Sequence, residues 1–280
     1  MRTLDGKVVA ITGAASGIGR ALAVEAAGRG AALALSDVDE AGLAETGRVA
    51  TGVGAREVLL DRVDVSDRDA VAAWADRVAE HFGRVNVVVN NAGVALAGDF
   101  TDLDPGDMEW IMGINFWGVV HGTRSFLPHL IASGDGHVVN LSSLFGLMSM
   151  PGQSLYCAAK YAVRGMSEAL REELIVAGHP VGVTVVHPGG IRTAIARNAR
   201  VADPDDKQRT ADFFDRKLAR TDAEEAARVI LDGMLAGKAR VLVGADAHAM
   251  HHLAKTLGSR YQDLVARVAR RALPARTKVV

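Results

Sequence analysis

The sequence predicts an α/β fold built on a single doubly wound parallel sheet of about seven strands, with helices on both faces. Short apolar runs alternate with segments of helical spacing through most of the 280 residues, as expected when each strand is followed by a crossover helix. The runs are continuously apolar, which is typical of strands buried on both faces. Glycines fall mostly where these segments end, as α/β loops require.

The predicted elements follow from this alternation in order. The continuous apolar runs predict strands at residues 7–13, 32–37, 58–65, 85–93, 137–143, 181–187 and 240–243. Apolar residues at helical spacing, such as Val71, Trp74, Ala75 and Val78, predict helices between them. One helix begins in the glycine-rich turn of residues 12–23, and the others are expected at residues 67–82, 107–130, 154–176, 223–235 and 248–272.

Domain organisation is expected to be simple, because no linker, repeat or low-complexity segment interrupts the alternation. We expect one dinucleotide-binding catalytic domain over residues 1–280, with a helical extension at about 245–280. A charged stretch at about 190–221 contains Phe213 and Phe214 but no clear element. Because long irregular segments in compact domains are usually functional, we interpret it as a lid.

Composition excludes several classes of function. Net charge is −1 and 49% of residues are hydrophobic, so the chain can bury a large core but has no basic excess for a nucleic-acid partner. Cys157 is the only cysteine, which excludes a disulfide framework and a cysteine-based zinc site, and we expect no metal. No apolar run reaches the length of a membrane span, so we expect a cytoplasmic protein.

The turn after the first strand is typical of a dinucleotide site. Gly13, Gly17 and Gly19 lie between the first strand and a helix, and Asp37 closes the second strand eighteen residues after Gly19. Glycines let the backbone approach a pyrophosphate, the helix N-terminus offers unpaired N–H groups, and an acid at that distance accepts hydrogen bonds from a ribose. A glycine triplet in a purely structural turn would look similar, but its position between two strands favours nucleotide binding.

Tyr156 and Lys160 form the candidate catalytic pair. Residues four apart share a helix face, so the ammonium of Lys160 is expected beside the phenol of Tyr156. A neighbouring positive charge lowers the pKa of a phenol towards the range useful for proton transfer. The same spacing also occurs by chance, with a packed tyrosine and a solvated lysine, so the pair gains meaning only from its context.

Together these motifs resemble the short-chain dehydrogenase/reductase family, in its classical subtype, over roughly residues 6–244. The matching residues occur in the expected order. They are Thr12-Gly13-x-x-x-Gly17-x-Gly19, Asp64-Val65, Asn90-Asn91-Ala92-Gly93, Asn115 with Gly118, Ser143, Tyr156-x-x-x-Lys160, and Pro188-Gly189 with Thr193.

The resemblance implies a Rossmann-like fold and a role for each catalytic position. Ser143 is expected to hold the substrate oxygen, and Tyr156 to exchange a proton with it. Lys160 is expected to bind the nicotinamide ribose and keep the pKa of Tyr156 low. Asn115 is expected to hold a water in a proton relay to Lys160.

The resemblance also implies a set of cofactor contacts. The expected residues are Gly13, Ser16, Gly17, Ile18, Gly19, Asp37, Asp64, Val65, Asn91, Ala92, Gly93, Tyr156, Lys160, Pro188, Gly189, Ile191 and Thr193. Asp37 favours NAD over NADP, because a carboxylate binds a free ribose hydroxyl and repels a 2′-phosphate. Ser16 agrees, since NADP enzymes of the family often carry a basic residue in that turn.

The expected substrate is a hydrophobic secondary alcohol or ketone. Residues after Ser143, after Gly93 and in the lid are apolar; they include Val94, Leu96, Leu144, Phe145, Leu147, Met148, Met150 and Ile195. The family usually assembles as dimers or tetramers, so a homodimer or homotetramer is expected. The terminal helix has an apolar stripe with arginines around it, which can pack on the protein body, on a second subunit or on a membrane surface.

Other functions are consistent with parts of this pattern. An NADP-dependent carbonyl reductase of the same family differs only in the ribose contact. Relatives that bind the nucleotide without turnover, as sensors or scaffolds, often lack the tyrosine or lysine, and both are present here. Epimerases and dehydratases of the longer subtype typically have a Gly-x-x-Gly-x-x-Gly turn, which this chain does not have.

Overall fold

The computed structural model describes residues 1–203, 208, 212 and 219–272. Its strands are β1 (Val8–Thr12), β2 (Ala32–Asp37), β3 (Val58–Arg62), β4 (Val87–Asn90), β5 (Leu96–Ala97), β6 (Gly136–Leu141), β7 (Val181–Pro188), β8 (Arg200–Val201) and β9 (Arg240–Val243). Seven of them form one parallel sheet in the order β3-β2-β1-β4-β6-β7-β9. The predicted doubly wound sheet of about seven strands is confirmed.

Helices cover both faces of this sheet. They are α1 (Gly17–Gly28), α2 (Glu40–Gly52), α3 (Arg68–Phe82), α4 (Pro105–Met112), α5 (Gly118–Ala132), α6 (Ser154–Val176), α7 (Ala223–Leu235), α8 (Ala245–Leu257) and α9 (Tyr261–Ala272). Alternate residues of β1 point to opposite faces of the sheet and belong to the hydrophobic core on that face. Val9 and Ile11 pack with α1, α2 and α7, whereas Val8 and Ala10 pack with α3, α5 and α6.

Three helices differ from their predicted course. Helix α2 was not predicted, because its sequence is rich in glycine and threonine. Asp39 caps its first turn, and Leu43 and Ala50 pack it against the sheet. The helix expected at residues 107–130 begins earlier and contains one π-helical turn, Gly113–Trp117. The helix expected at residues 248–272 is two helices, since Gly258 between them has a φ of +56°.

The segment predicted as a lid falls partly outside the described residues. Phe213 and Phe214 are among those not described. Its first part pairs β8 with β5 in a small parallel sheet, and the guanidinium of Arg200 lies 3.8 Å from the ring centre of Trp110 in α4. These contacts attach residues 200–201 to the loop that follows β4. Within the described part of the chain, no helix has both the length and the apolar character needed to cross a membrane.

Candidate active site

The carboxyl ends of β1, β4, β6 and β7 lie side by side at one edge of the sheet. The glycine-rich turn follows β1, Asn91 to Gly93 follow β4, Ser143 follows β6, and Gly189 follows β7. The sequence-predicted residues are therefore brought to the crevice where doubly wound sheets bind their ligands.

The glycine-rich turn leaves no room for a side chain at its glycine positions. Gly13 and Gly17 have φ values of +65° and +54°, a region that favours glycine. A Cβ atom on Gly13 would lie 2.7 Å from the Cα of Ala92, and one on Gly19 would collide with the carbonyl oxygen of Gly13. Ser16 precedes α1 without a side-chain cap, so the N–H groups of the first turn keep their capacity to bind an anion.

Two carboxylates expected to contact the cofactor are held in different ways. Asp37 accepts hydrogen bonds from the backbone N–H groups of Ala15, at 2.9 Å, and Asp39, at 3.0 Å. Each carboxylate oxygen accepts more than one bond, so Asp37 retains capacity for ribose hydroxyls. Asp64 is exposed and accepts from the backbone and hydroxyl of Ser66.

Asn91 and Thr12 join the end of β4 to the glycine-rich turn. The side-chain amide of Asn91 donates to the carbonyl oxygens of Thr12, at 2.9 Å, and Gly13, at 3.0 Å. The Thr12 hydroxyl accepts from the N–H groups of Asn91 and Ala92, each at 3.0 Å. The side chain of Asn91, expected near the adenosine ribose, therefore also shapes the turn itself, and the supporting role of Thr12 was not predicted.

Ser143, Tyr156 and Lys160 meet beside the end of β6. The hydroxyl of Ser143 hydrogen-bonds Tyr156, and the Nζ atom of Lys160 lies 5.7 Å from the centre of the Tyr156 ring. Lys160 is buried and donates to the carbonyl oxygen of Leu141 at 3.0 Å. The predicted juxtaposition of hydroxyl, phenol and ammonium is present.

The ionisation of this group differs from the sequence-based expectation. Burial raises the pKa of Tyr156 to about 12, opposed in part by the hydrogen bond from Ser143. Burial also lowers the pKa of Lys160 to about 8, because a low-dielectric environment disfavours the charged form of either side chain. The charge of Lys160 was expected to keep the pKa of Tyr156 low, and in this structure desolvation outweighs any such effect.

Asn115 lies in the π-helical turn and is fully buried. Its side-chain oxygen accepts from the N–H of Val94, and its amide donates to the carbonyl oxygen of Val94, both at 2.8 Å. A Cβ atom on Gly93 would lie 3.2 Å from this oxygen and 3.6 Å from the Nζ of Lys160. The Asn115 side chain thus fixes the loop after β4 next to Lys160, and the expected role of Asn115 in a proton relay stays a prediction.

A buried polar network under the site was not predicted. Asn90 and Asn140 are opposite each other on β4 and β6, and the amide of Asn90 donates to the Asn140 oxygen at 2.8 Å. Thr123 of α5 and Ser167 of α6 complete the network. Two asparagines within otherwise apolar strands were the available signal, since buried polar groups require partners.

The loop after β7 carries the remaining predicted contacts. Thr193 lies against the glycine-rich turn, because a Cβ atom on Gly17 would be 3.1 Å from its methyl group. Ile191 is buried, and Gly190 donates its N–H to Asp246 of α8 at 2.7 Å. Asp246 thus fixes the loop that precedes Thr193, a contact that sequence reasoning missed.

Comparison with known proteins agrees with this geometry. A family model described as short chain dehydrogenase matches residues 7–204. The chain belongs to the short-chain dehydrogenase/reductase family. It is therefore an oxidoreductase of the NAD(P)-dependent kind that acts on CH–OH groups.

Individual members of the family are similar over most of the chain. SadH of Mycobacterium tuberculosis, an oxidoreductase by name, is 58% identical over 266 residues, covering 95% of this chain and 96% of its own. A short-chain dehydrogenase/reductase from Burkholderia phymatum, solved with NAD, has a TM-score of 0.81 at 32% identity and covers all of both chains. Levodione reductase has a TM-score of 0.77 at 30% identity, covering 88% of this chain and 98% of its own.

The crevice fits the nicotinamide dinucleotide used by the short-chain dehydrogenase/reductase family. Glycine at positions 13 and 19 lets the turn pack directly against Asn91 and Ala92 at the floor of the crevice. The uncapped N-terminus of α1 suits a pyrophosphate, and the fixed carboxylate of Asp37 suits a ribose. The donor set therefore matches the chemistry of the family's cofactor.

Proposed function

We propose that the protein is an NAD-dependent oxidoreductase that transfers a hydride between nicotinamide and a hydrophobic secondary alcohol or ketone. The observation that carries this proposal is the meeting of Ser143, Tyr156 and Lys160 at the same sheet edge as the glycine-rich turn. A hydroxyl, a phenol and an amine beside the dinucleotide crevice support a proton-transfer role next to a bound substrate.

The chain's own residues supply binding, orientation and the proton. When bound, the nicotinamide ring accepts the hydride during alcohol oxidation or gives it during ketone reduction. Ser143 holds the substrate oxygen, and Tyr156 donates a proton to that oxygen in reduction or accepts it in oxidation. Lys160 lies beside the phenol and supplies N–H donors to a ribose, while Asn115 positions Val94 and Gly93 at its side.

Preference for NAD is supported by the charges around the ribose position. Asp37 is anchored by two backbone N–H groups, so its negative charge is fixed where a 2′-phosphate would be repelled. The nearby Arg20 is committed to the carbonyl oxygens of Ala15 and Gly42 and to the hydroxyl of Thr46. Its hydrogen-bonding groups are therefore used within the protein. The relative from B. phymatum was solved with NAD.

An apolar substrate is supported by the surroundings of Tyr156. Val94 and Leu155 belong with Tyr156 to one hydrophobic cluster, and the ring of Phe145 lies edge-on to the phenol, with 6.1 Å between ring centres. Met148, which was expected to line the cleft, is buried in the core. Levodione reductase, whose name indicates a dione, is a structural neighbour.

Initial rates with NAD and NADP test this proposal. The substrates compared are polyols and cyclic, aromatic and steroid-like secondary alcohols. We expect turnover with NAD and an apolar alcohol, and Asp37→Asn is expected to lower the ratio of kcat/KM for NAD over NADP by roughly 10- to 100-fold, as expected for losing a charged hydrogen bond.

Asp39→Asn is the matched control, because Asp39 caps α2 and asparagine also caps helices. Its cofactor ratio should stay unchanged. A wild-type preference for NADP, activity confined to polyols, or no change in nicotinamide absorbance with any alcohol would each contradict a part of the proposal.

A further inference from the structure

The two C-terminal helices pack against the segment that follows Ser143. Met148 is 1% exposed and forms a cluster with Tyr261 and Val265 of α9. Partly buried residues complete the cluster: Leu144, Phe145, Met150, Met250, Ala254 and Leu257. Part of the apolar stripe of the terminal helices thus faces the protein body, at the wall of the proposed substrate site.

The hydroxyl of Tyr261 joins three parts of the fold. It accepts the N–H of Ser149 at 2.9 Å and hydrogen-bonds the hydroxyl of Tyr161 in α6. Residues 149–150, helix α6 and helix α9 therefore share one polar contact inside an otherwise apolar cluster. Such a contact fixes relative positions more strictly than apolar packing does, because hydrogen bonds have narrow geometry.

The segment between Ser143 and Ser149 is held by its own hydrogen bonds. It begins with a 3₁₀ turn, Leu144–Gly146, in which the N–H of Phe145 donates to the Ser143 hydroxyl and the N–H of Gly146 donates to the Ser143 carbonyl oxygen. The N–H groups of Leu147 and Met148 then donate to the carbonyl oxygen of Leu144. A shift at Ser149 would consequently move Phe145, whose ring lies against Tyr156.

We propose that Tyr261 is a positioning residue for the substrate, through which the C-terminal extension sets the wall formed by residues 144–150. The inference rests on the proposed function, because the wall matters only if a substrate binds beside Tyr156. Tyr261 acts through Ser149 and does not touch the reacting atoms. The extension also contacts the loop after β7, since Asp246 of α8 accepts the N–H of Gly190.

The test replaces Tyr261 by phenylalanine, which keeps the ring in the cluster and removes only the hydroxyl. Amide hydrogen exchange is followed in a peptide spanning residues 144–150, and KM, kcat and the NAD dissociation constant are measured with a bulky secondary alcohol. We expect faster exchange at Ser149 and a KM about 3- to 10-fold higher, the range for one lost neutral hydrogen bond. The NAD dissociation constant should not change.

Val268→Ala is the matched control, because Val268 lies on the same helix but is 58% exposed. Neither its exchange nor its KM should change. Unchanged exchange in Tyr261→Phe, or faster exchange with an unchanged KM in an active enzyme, would overturn the positioning role. Absence of turnover in the wild-type protein would contradict the proposed function instead, so the two failures are distinguishable.

Discussion

Burial sets the ionisation of Tyr156 and Lys160. Desolvation raises the pKa of the phenol to about 12 and lowers the pKa of the ammonium to about 8. Tyr156 is therefore protonated throughout the neutral range, the form that the proposed ketone reduction requires. The proposed alcohol oxidation requires its deprotonated form, whose fraction increases with pH.

The raised pKa of Tyr156 predicts a pH-dependent rate of alcohol oxidation. Because the pKa of Tyr156 lies near 12, the fraction of phenolate rises about tenfold per pH unit below that value. We expect kcat/KM for oxidation to keep rising up to at least about pH 10. A plateau reached by about pH 7 would contradict the raised pKa and favour the sequence-based expectation of a low one.

The sequence predicted the identity of the central residues but not their environment. Helical spacing predicted that Lys160 lies beside Tyr156, and the resemblance to the family added Ser143 at the end of a strand. Hydrogen-bond partners depend on chain segments distant in sequence. The commitment of Asn115 to Val94 and the effect of burial on the pKa of Tyr156 therefore appear only in the folded structure.

Helix α1 can approach the end of β1 only because glycine occupies its first turn. A Cβ atom on Gly19 would collide with the carbonyl oxygen of Gly13 and with the side-chain amide of Asn91. The same amide holds the glycine-rich turn in place. Close packing between this helix and this strand therefore shapes the proposed cofactor crevice.

Substitution of Gly19 by alanine tests this element. Overpacking of this kind costs about 1–3 kcal/mol, and we expect NAD to bind roughly 5- to 100-fold more weakly as the turn is displaced. Gly28→Ala is the control, because Gly28 ends the same helix and no atom lies within 4 Å of a Cβ placed there. Equal NAD affinity of both variants in a fluorescence titration would contradict the close-packing argument.

Helices and strands with a clear hydrophobic period were predictable from the sequence. Elements whose pattern is interrupted, such as α2 and the π-helical turn, were not. The bounds of α6 and α7 and those of β2 and β9 are as predicted, because their apolar residues recur at one clear period. Helix α2 depends on tertiary packing, which outweighs its poor intrinsic propensity. The π turn depends on the contact of Asn115 with the loop after β4, which local sequence does not specify.

The whole sheet buries a titratable histidine between β6 and β7. His137 lies opposite Gly182, whose missing side chain leaves space for the ring, and its Nε2 donates to the hydroxyl of Thr184 at 2.8 Å. Burial lowers the pKa of His137 to about 4. The folded protein therefore holds this ring neutral at pH values where the unfolded chain protonates it.

Acid sensitivity of the fold follows from this histidine. The unfolded side chain takes up a proton near pH 6.5, and the folded one does so only near pH 4, so its contribution to stability is complete above pH 6.5 and falls between pH 6.5 and 4. We expect protonation of His137 in the unfolded chain to lower the unfolding free energy by about 2 kcal/mol when the pH falls from 8 to 5. The unfolding free energy, measured by urea denaturation at pH 8 and at pH 5, should decrease by about 2 kcal/mol less in His137→Gln than in the wild-type protein. An equal decrease in both proteins would contradict the assignment.

Conversion of Tyr156 to phenylalanine tests the proton transfer on which the whole account depends. The ring packing with Phe145 is kept and only the hydroxyl is lost. We predict that kcat/KM with NAD and an apolar secondary alcohol falls by about 10²- to 10⁴-fold, the usual contribution of general acid–base catalysis, while the NAD dissociation constant rises by at most about 10-fold, the effect of one lost neutral hydrogen bond. A Tyr156→Phe variant that turns over within a few-fold of the wild-type rate would contradict the account.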